Sequence, residues 1–447
     1  MNTKALRQKI LDLAIHGKLV PQDPNDEPAS VLLERIRDEK ERLIKEGKIK
    51  RPKKSKATSD KPHYENVPFE VPSSWVWCKL HDIIQITNGR SQKYVENVNG
   101  KYPIYGSGGI IGKAVDYLCE AGSTIIGRKG TINNPLFVEE RFWNIDTAFG
   151  MKPMYAISDL YFFYFCQYFD FSKLDKSTAV PSLTQSAIGE VFIPIPPINE
   201  QKRITDGISY WLGFIDTLES NLINLQLAIK QTKSKILNLA IHGKLVPQDP
   251  TDEPAAELLK RINPKAEITC DNGHYQKLPE GWILTRGKNI FNQMKSCQPF
   301  GEDFKYIDID AIDNKQQKIN KIKTIKVANA PSRASRYTQK GDVVFSMVRP
   351  YLRNIAIVSE NDCIASTGFY VCSPKELLLT GFCYYLMISD YVVNGLNQYM
   401  KGDNSPSINK KNVDDWFFPI PPLKEQHRIV AKIEAIFAQL DTIEASL

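Results

Sequence analysis

The stretch LAIHGKLVPQDP occurs twice in this chain of 447 residues, at 13–24 and again, letter for letter, at 239–250. Further words repeat in the same order along the chain. They are HYENVPFEVPSSW (63–75) with HYQKLPEGW (274–282), KSTAVPSLTQSAI (176–188) with KGDNSPSINKKNV (401–413), and FIPIPPINEQKRI (192–204) with FFPIPPLKEQHRI (417–429). The chain is therefore a tandem duplication of one structural plan, with small insertions and deletions between the copies.

A long helix is predicted after the first IPIPPINEQ word, because apolar residues recur there at steps of four and three. This is the heptad pattern of a coiled coil, whose seam packs against a partner helix. Gly243 and the PQDP that follows it predict where the helix ends. The predicted seam consists of Ile204, Ile208, Trp211, Ile215, Leu218, Leu222, Leu225, Ile229, Thr232, Ile236 and Leu239.

The second copy of this helix is divided between the two termini. Residues 429–447 repeat its first half 225 positions later, and residues 6–13 repeat its second half 226 positions earlier. The sequence therefore predicts a circularly permuted arrangement, in which the split helix runs antiparallel to the intact one under a pseudo-two-fold axis.

The segments between the helical regions mix short β-rich runs with one apolar aromatic helix each, which predicts two α+β globular domains. Aromatic residues occupy every face of those two helices, which favours a core position for them. The predicted divisions are 1–62 for an N-terminal helical segment and basic linker, 63–195 for the first globular domain, 196–273 for the central helical region, 274–420 for the second globular domain and 421–447 for the C-terminal helix.

The net charge of +7 lies mostly in residues 45–62, which carry eight basic and two acidic groups. Such a Lys-rich tract is typical of a solvated linker, with contact to a DNA backbone as the alternative. No apolar run is long enough to span a membrane and no signal core is present, so a cytoplasmic protein is expected. The eight cysteines lack metal-ligand spacing and are expected to be buried in a reducing compartment.

Motifs for catalysis, cofactors or metals are missing, so an enzyme is not expected. The nearest resemblance to a phosphate-binding loop, YGSGGIIGKAV at 105–115, has Ser107 where the first glycine is required and Ala114 where Ser or Thr should hold magnesium. The word NNPLF at 133–137 carries Leu136 in place of the second proline of amino-methyltransferases and is interpreted as a turn.

The alternation of two variable globular domains with two similar helical regions resembles the specificity subunit of Type I restriction-modification enzymes. The resemblance covers essentially the whole chain. It is carried by the PIPPxxEQxRI words, by LAIHGKLVPQDPxDEPA, and by the Pro-x-x-Trp pairs Pro72 with Trp75 and Pro279 with Trp282. It implies that each domain recognises one half of a split site in double-stranded DNA. It also implies that the helices dock two methyltransferase subunits and, through them, restriction subunits.

Basic and small polar residues in the two globular domains are the candidate DNA-binding residues. Between Asn314 and Gly341 there are eight Lys or Arg residues and no acid, which suits contacts to phosphates. Each domain also has a flexible loop, 176–182 and 401–407. The candidates are Arg90, Lys93, Lys101, Ser107, Arg128, Lys129, Lys176 and Ser177 in the first domain, and Lys315, Lys318, Lys321, Lys323, Arg333, Arg336, Arg349, Arg353, Lys401 and Asn404 in the second.

Arg128 and Arg349 are predicted to occupy matching places in the two copies. Each either recognises guanine through two hydrogen bonds or forms a buried structural pair, and the sequence favours neither. Two other functions stay open for the chain. One is a stand-alone DNA methyltransferase or nuclease, against which the missing motifs argue. The other is a coiled-coil adaptor that binds only proteins, against which the basic run argues.

Overall fold

The computed structural model describes residues 2–47, 67–154, 156–177, 180–269 and 278–447. The chain divides into two compact units, unit 1 (Met1–Asn221) and unit 2 (Leu222–Leu447), and each contains one copy of the repeated words. Most of the predicted basic linker lies outside the described residues. So do both predicted starts of the globular domains, at residues 63 and 274, and Cys270.

Unit 1 begins with two helices, continues through three small sheets and ends in the first half of a long helix. Its helices are α1 (Thr3–Ile15), α2 (Ala29–Lys45), α3 (Leu80–Ile83), α4 (Asp159–Tyr168), α5 (Gln185–Gly189) and the shared α6 (Ile198–Ile241). Its strands are β1 (Val76–Lys79), β2 (Ile84–Asn88), β3 (Tyr102–Gly106), β4 (Gly109–Ala114), β5 (Ser123–Gly127), β6 (Leu136–Val138), β7 (Trp143–Asn144), β8 (Ala148–Pro153) and β9 (Phe192–Ile195). The sheets have the orders β1-β9, β2-β8-β5-β6 and β4-β3-β7, and among the described strands of unit 1 only β3 and β7 pair in parallel.

Unit 2 repeats this plan with a larger set of strands. Its further helices are α7 (Ala255–Ile262), α8 (Gly287–Ile290), α9 (Thr380–Ile388), α10 (Asp390–Asn397), α11 (Lys410–Asp415) and α12 (Leu423–Ala445). Its strands are β10 (Ile268–Thr269), β11 (Ile283–Arg286), β12 (Asp303–Ile307), β13 (Ile312–Asp313), β14 (Lys318–Ile319), β15 (Lys323–Lys326), β16 (Ala334–Thr338), β17 (Val343–Ser346), β18 (Ile355–Ile357), β19 (Cys363–Ser366), β20 (Phe369–Cys372) and β21 (Phe417–Ile420). The sheets are β10-β11-β21, β15-β12-β19-β16, β13-β14 and β18-β17-β20. The predicted α+β class is confirmed.

In unit 1, helix α1 runs antiparallel to the first half of α6. Near the start of α1, Arg7 forms ion pairs with Asp216 and with Glu219, the latter at 2.9 Å. Beyond the end of α1, Gln22 Nε2 donates to Glu200 Oε1 at 2.7 Å. Positions later in the first segment therefore meet positions earlier in α6, which is the predicted antiparallel direction.

In unit 2, helix α12 and the second half of α6 repeat the same pairing. Lys233 forms ion pairs with Asp441 at 2.5 Å and Glu444 at 3.2 Å. Gln248 Nε2 donates to Glu425 Oε1 at 3.2 Å. These five residues follow their unit 1 counterparts by 226 or 225 positions, so the duplication extends to individual side-chain contacts.

The heptad prediction was correct for most of the seam of α6 but wrong at three positions, one of which is the exposed Thr232. The side chains of Ile204, Ile208 and Ile229 are buried as predicted. Trp211 and Leu225, by contrast, are 44% and 40% exposed. Periodicity shows which residues share one face of a helix, but it does not show whether another element covers that face.

The cores of the units are built on α4 and α9, the two aromatic helices. In α4, Phe162 and Phe165 are buried and the Tyr161 hydroxyl donates to the Pro194 carbonyl at 2.7 Å. Six of the seven described cysteines are buried, and burial raises the pKa of Cys119 to about 12. In the part of the chain that the structure describes, no helix is both long and apolar enough to cross a membrane.

Candidate nucleic-acid interface

The repeated QDPxDEP words form a structural joint between each helix pair and its globular domain. In unit 1, Arg203 on α6 donates to Asp26 at 2.5 Å, and Asn199 adds a hydrogen bond at 3.3 Å. The Asp26 side chain is only 5% exposed, and its bond to Arg203 holds the pKa of its carboxyl below the usual value. Arg428 and Asp252 repeat this pair in unit 2 at 2.6 Å.

A buried carboxylate completes each joint. Burial raises the pKa of Glu200 in unit 1 and of Glu425 in unit 2. The Trp282 indole donates to Glu425 at 3.1 Å, which explains why a tryptophan begins the globular domain. Gly17 lies in the left-handed region at φ 67°, and a Cβ there would stand 2.5 Å from Pro72 Cγ. The QDPxDEP words therefore position the globular domains against the helices.

In unit 1, two loops meet at one edge of the sheet that contains β5. The backbone N–H of Arg128, just after β5, donates to the Thr147 carbonyl at 2.7 Å. The Arg128 carbonyl accepts from the Leu183 N–H at 2.9 Å, and Gly130 donates to the Pro181 carbonyl at 3.0 Å. The loop after β5 and the predicted flexible loop at 176–182 are thereby held side by side, although residues 178–179 lie outside the described residues.

The candidate side chains at this edge differ in their exposure and in their hydrogen bonds. Lys129, Lys176 and Ser177 are exposed. Arg128 is half-buried and lies 6.0 Å from the Phe149 ring centre, and within the described residues its side chain makes one long hydrogen bond, of 3.4 Å to the Asp146 carbonyl. Its guanidinium therefore retains donors for an incoming acceptor.

The turn of the hairpin β3–β4 lies at this edge of the sheet, and the opposite end of the hairpin lies away from it. Its turn carries the half-buried Ser107, which lies beside Gly127 at the end of β5. Lys101 and Lys113 are exposed at the opposite end of the hairpin. Arg90 and Lys93 are exposed in the loop that follows β2, where the Arg90 carbonyl accepts from the Trp143 indole at 3.0 Å. The structure thus spreads the unit 1 candidates along the hairpin instead of gathering them at one point.

Unit 2 builds the same loop pair after β17. The Arg349 N–H donates to the Pro406 carbonyl at 2.8 Å, and Ile408 donates to the Met347 carbonyl at 2.9 Å. The Arg349 side chain donates to the Asn404 carbonyl at 2.8 Å. Arg349, Lys401 and Asn404 are all exposed, so three predicted residues lie together here.

These hydrogen bonds correct the predicted match between Arg128 and Arg349. Arg349 corresponds to Gly130, because each donates its N–H to the proline of the facing loop. Both also have left-handed backbones, with φ 77° at Gly130 and φ 47° at Arg349. The repeat counterpart of Arg128 is Met347. The segments around Arg128 and Arg349 share no repeated word, so the two arginines alone could not align the two copies in the sequence. The backbone hydrogen bonds do align them. A non-glycine residue held at positive φ is also a mark of functional loops.

The basic run between Asn314 and Gly341 is less positive than its sequence indicates. Lys323 donates to both oxygens of Asp310, at 2.8 and 2.9 Å, and Arg333 donates to Asp308 at 2.6 Å. Both carboxylates precede the run in the sequence, so a count of the charges between residues 314 and 341 omits them. Arg353, predicted to contact DNA, instead donates to the Ile388 carbonyl and pairs with Asp390 at the start of α10.

Five lysines of the run are exposed, at positions 315, 318, 321, 326 and 340. Lys315, Lys318 and Lys321 surround the hairpin β13–β14, and no ion pair of theirs is found within the described residues. Arg336 in β16 is half-buried, and within the same part of the chain its buried Nε lacks a hydrogen-bond partner. The hairpin β13–β14 with Lys315, Lys318 and Lys321, called the lysine hairpin below, is therefore an exposed positive feature of unit 2.

Two groups of exposed apolar residues were not predicted from the sequence as functional. The first comprises Tyr94, Val98, Ile110, Ile111 and Val115 along the hairpin β3–β4. The second comprises Tyr210, Trp211 and Phe214 on α6. Two features of the sequence could have indicated them. One is the apolar residues of GIIGKAV, and the other is the presence of aromatic residues on α6 outside the predicted seam.

Comparison with known proteins identifies the family. A sequence profile described as the Type I restriction modification DNA specificity domain matches residues 72–227 and 283–447, one copy in each unit. The chain belongs to this family. Members are non-catalytic DNA-recognition components that associate with DNA and with the modification and restriction subunits of their complexes, which favours DNA recognition over both alternative functions.

Individual relatives of this family align over nearly the whole chain. The EcoAI specificity subunit of Escherichia coli is 27% identical over an alignment of 537 positions, covering 97% of this chain and 88% of that protein. The EcoEI specificity subunit of Escherichia coli is 25% identical, with coverage of 99% and 90%.

A solved structure from a type I R-M system agrees in fold. A chain from a study of complex assembly and conformational transition of the type I R-M system is 17% identical and has a TM-score of 0.56, covering 85% of this chain and 94% of that chain. The HsdS subunit from Thermoanaerobacter tengcongensis is 37% identical but has a TM-score of 0.37, covering 39% of this chain and 46% of that chain.

Proposed function

We propose that each unit recognises one half of a bipartite DNA site through the loop pair at the end of β5 or β17. The observation that carries this proposal is the recurrence of one loop arrangement with different side chains in the two units. A duplicated scaffold with unlike loops suits two half-sites of unlike sequence. Arg128, Lys129 and Lys176 serve unit 1, and Arg349 and Lys401 serve unit 2.

Within this proposal, phosphate contacts and base contacts fall to different residues. The exposed lysines at 315, 318 and 321 can bind phosphates without recognising sequence. Arg349 has a side chain at a loop tip with donors beyond its bond to the Asn404 carbonyl, which suits recognition of a base edge. Lys323, Arg333 and Arg353 serve mainly to stabilise unit 2 through their ion pairs.

The helix pairs are proposed to dock two methyltransferase subunits, one per unit, and through them the restriction subunits. Tyr210, Trp211 and Phe214 support a protein partner, because three aromatic side chains on successive turns of one helix remain 44% exposed or more. The complex is proposed to act in the cytoplasm, where it meets cellular DNA.

A domain exchange tests the division of labour between the units. Replacing residues 63–195 with the corresponding segment of another specificity subunit should change one half-site and leave the other unchanged, because each unit contacts its own stretch of groove. Sequencing of methylated genomic sites in cells that also contain the methyltransferase subunit gives both half-sites. A simultaneous change of both half-sites would contradict the proposal.

A salt titration tests the lysine hairpin. The triple substitution of Lys315, Lys318 and Lys321 by Gln should weaken DNA binding by the methyltransferase complex and reduce the slope of log K against log salt by about 2.7, since each phosphate contact contributes about 0.9. The matched control replaces the exposed Lys260, Lys265 and Lys288 of unit 2 by Gln, which lie outside the helix pairs and the proposed DNA-binding loops, and should leave the slope unchanged. Equal slopes for the lysine hairpin variant and the unsubstituted protein would exclude these phosphate contacts.

A further inference from the structure

The hairpin β3–β4 of unit 1 presents an apolar face that the fold leaves uncovered. Ile110, Ile111 and Val115 are each more than half exposed, and Lys113 lies between the last two. The pairing of β4 with β3 skips Ile111, because Tyr105 faces Ile110 while Ile104 faces Gly112. This bulge leaves two neighbouring isoleucines exposed beside the turn.

The loop that follows β2 extends the same surface. It runs along the free edge of β4, where Val115 donates to the Val95 carbonyl and Asn97 donates to the Lys113 carbonyl, both at 2.9 Å. The backbone edge of the hairpin is therefore already paired from Lys113 to Val115, which hinders the addition of another strand there. Tyr94 and Val98 in this loop are 95% and 90% exposed, so what remains for a partner is a set of side chains.

The charges around this surface favour a polyanion. Four exposed cations flank it, against two exposed carboxylates, those of Glu96 and Asp116. The cations are Arg90, Lys93, Lys101 and Lys113. The turn of the hairpin also carries Ser107 beside Gly127, so the surface is continuous with the proposed DNA-binding loops of unit 1.

We propose that this hairpin enters the major groove of the first half-site and recognises thymine through its C5 methyl group. The major groove admits a two-stranded β-ribbon, and thymine is the base that presents a methyl group there. Ile111 and Val115 contact the methyl groups, while Lys113 and the neighbouring cations bind phosphates. The inference rests on the proposed function of unit 1 and adds the chemical feature of the half-site that is recognised.

Replacement of thymine by deoxyuridine tests this inference, because it removes the methyl group and keeps the hydrogen-bonding edges. Once the half-sites are known, each thymine of the first half-site is replaced singly, and binding by the complete methyltransferase complex is measured. We expect at least one replacement to weaken binding by about threefold to fivefold, the effect of one buried methyl group. Each replacement that weakens binding should lose its effect in the Ile111→Ala or the Val115→Ala complex, whichever lacks the side chain that contacts that methyl group.

Two controls separate this inference from the proposed function. Ile357→Ala in unit 2, at an exposed aliphatic residue, should leave the sensitivity to deoxyuridine unchanged. If the unsubstituted complex binds the site but tolerates every deoxyuridine, the methyl contact is wrong while DNA recognition stands, and the apolar face is assigned to a protein. If the complex fails to select the site at all, the proposed function itself is wrong.

Discussion

Arg203→Met should lower the free energy of unfolding of unit 1 by about 2–3 kcal/mol, because it leaves a buried carboxylate without its cation. Asp26 is 5% exposed and accepts from Arg203 at 2.5 Å. The Arg203 side chain is 34% exposed and Asn199 still donates to Asp26 in the variant, so the expected loss is smaller than that for a fully buried pair. Urea unfolding followed by hydrogen exchange, with peptides of each unit monitored separately, measures the change.

Glu27, the neighbour of Asp26 in the QDPxDEP word, forms an exposed ion pair that supplies a matched control. Arg35 pairs with Glu27 at 2.7 Å, but both side chains are more than 40% exposed, so Arg35→Met should cost less than about 1 kcal/mol. The double variant Arg203→Met with Asp26→Asn should recover part of the loss, since the buried charge is gone. Equal stabilities of the Arg203 and Arg35 variants would show that the joint does not stabilise unit 1.

The pH dependence of the Arg203 effect follows from the direction of the Asp26 pKa. The folded-state pKa of this carboxyl lies below its ordinary value. Its stabilisation is therefore complete above the unfolded pKa of about 4 and is lost as the pH falls through the folded value. The difference between the unsubstituted protein and Arg203→Met should narrow under acidic conditions.

The double variant Trp211→Ala with Phe214→Ala should raise the Kd for the cognate methyltransferase subunit by about 100-fold or more. Large aromatic side chains at the centre of protein interfaces contribute about 2 kcal/mol or more each. Both residues are over 40% exposed in this chain, and alanine favours helices, so α6 should remain folded. Isothermal titration of the specificity chain with the methyltransferase subunit measures the effect.

Tyr94→Ala is the control for this variant. Tyr94 is 95% exposed in the loop that follows β2 of the same unit, so its loss removes an even more accessible aromatic ring away from α6. Methyltransferase binding should be unchanged in Tyr94→Ala, and circular dichroism should show equal helix content in all three proteins. Undiminished binding by the α6 double variant would exclude this face as the docking surface.

The duplication, the helix α6 and the α+β class could be predicted from the sequence because their signals are local. Heptad spacing predicts a helix wherever it occurs, and Gly243 with its left-handed φ of 65° ends the helical hydrogen bonding as predicted. Repeated words carry the buried pairs Asp26 with Arg203 and Asp252 with Arg428, so their recurrence already indicated one structural plan used twice.

The candidate DNA-binding residues could be sorted only by tertiary structure. Asp390 neutralises Arg353 from 37 positions away, and backbone pairing assigns Arg349 to the place of Gly130. The exposure of Trp211 likewise depends on which element packs against its face of α6. Charge pairing, strand register and burial are set by contacts between distant parts of the chain. Composition and spacing are therefore sufficient to predict the scaffold, whereas the fold decides which side chains remain free for a partner.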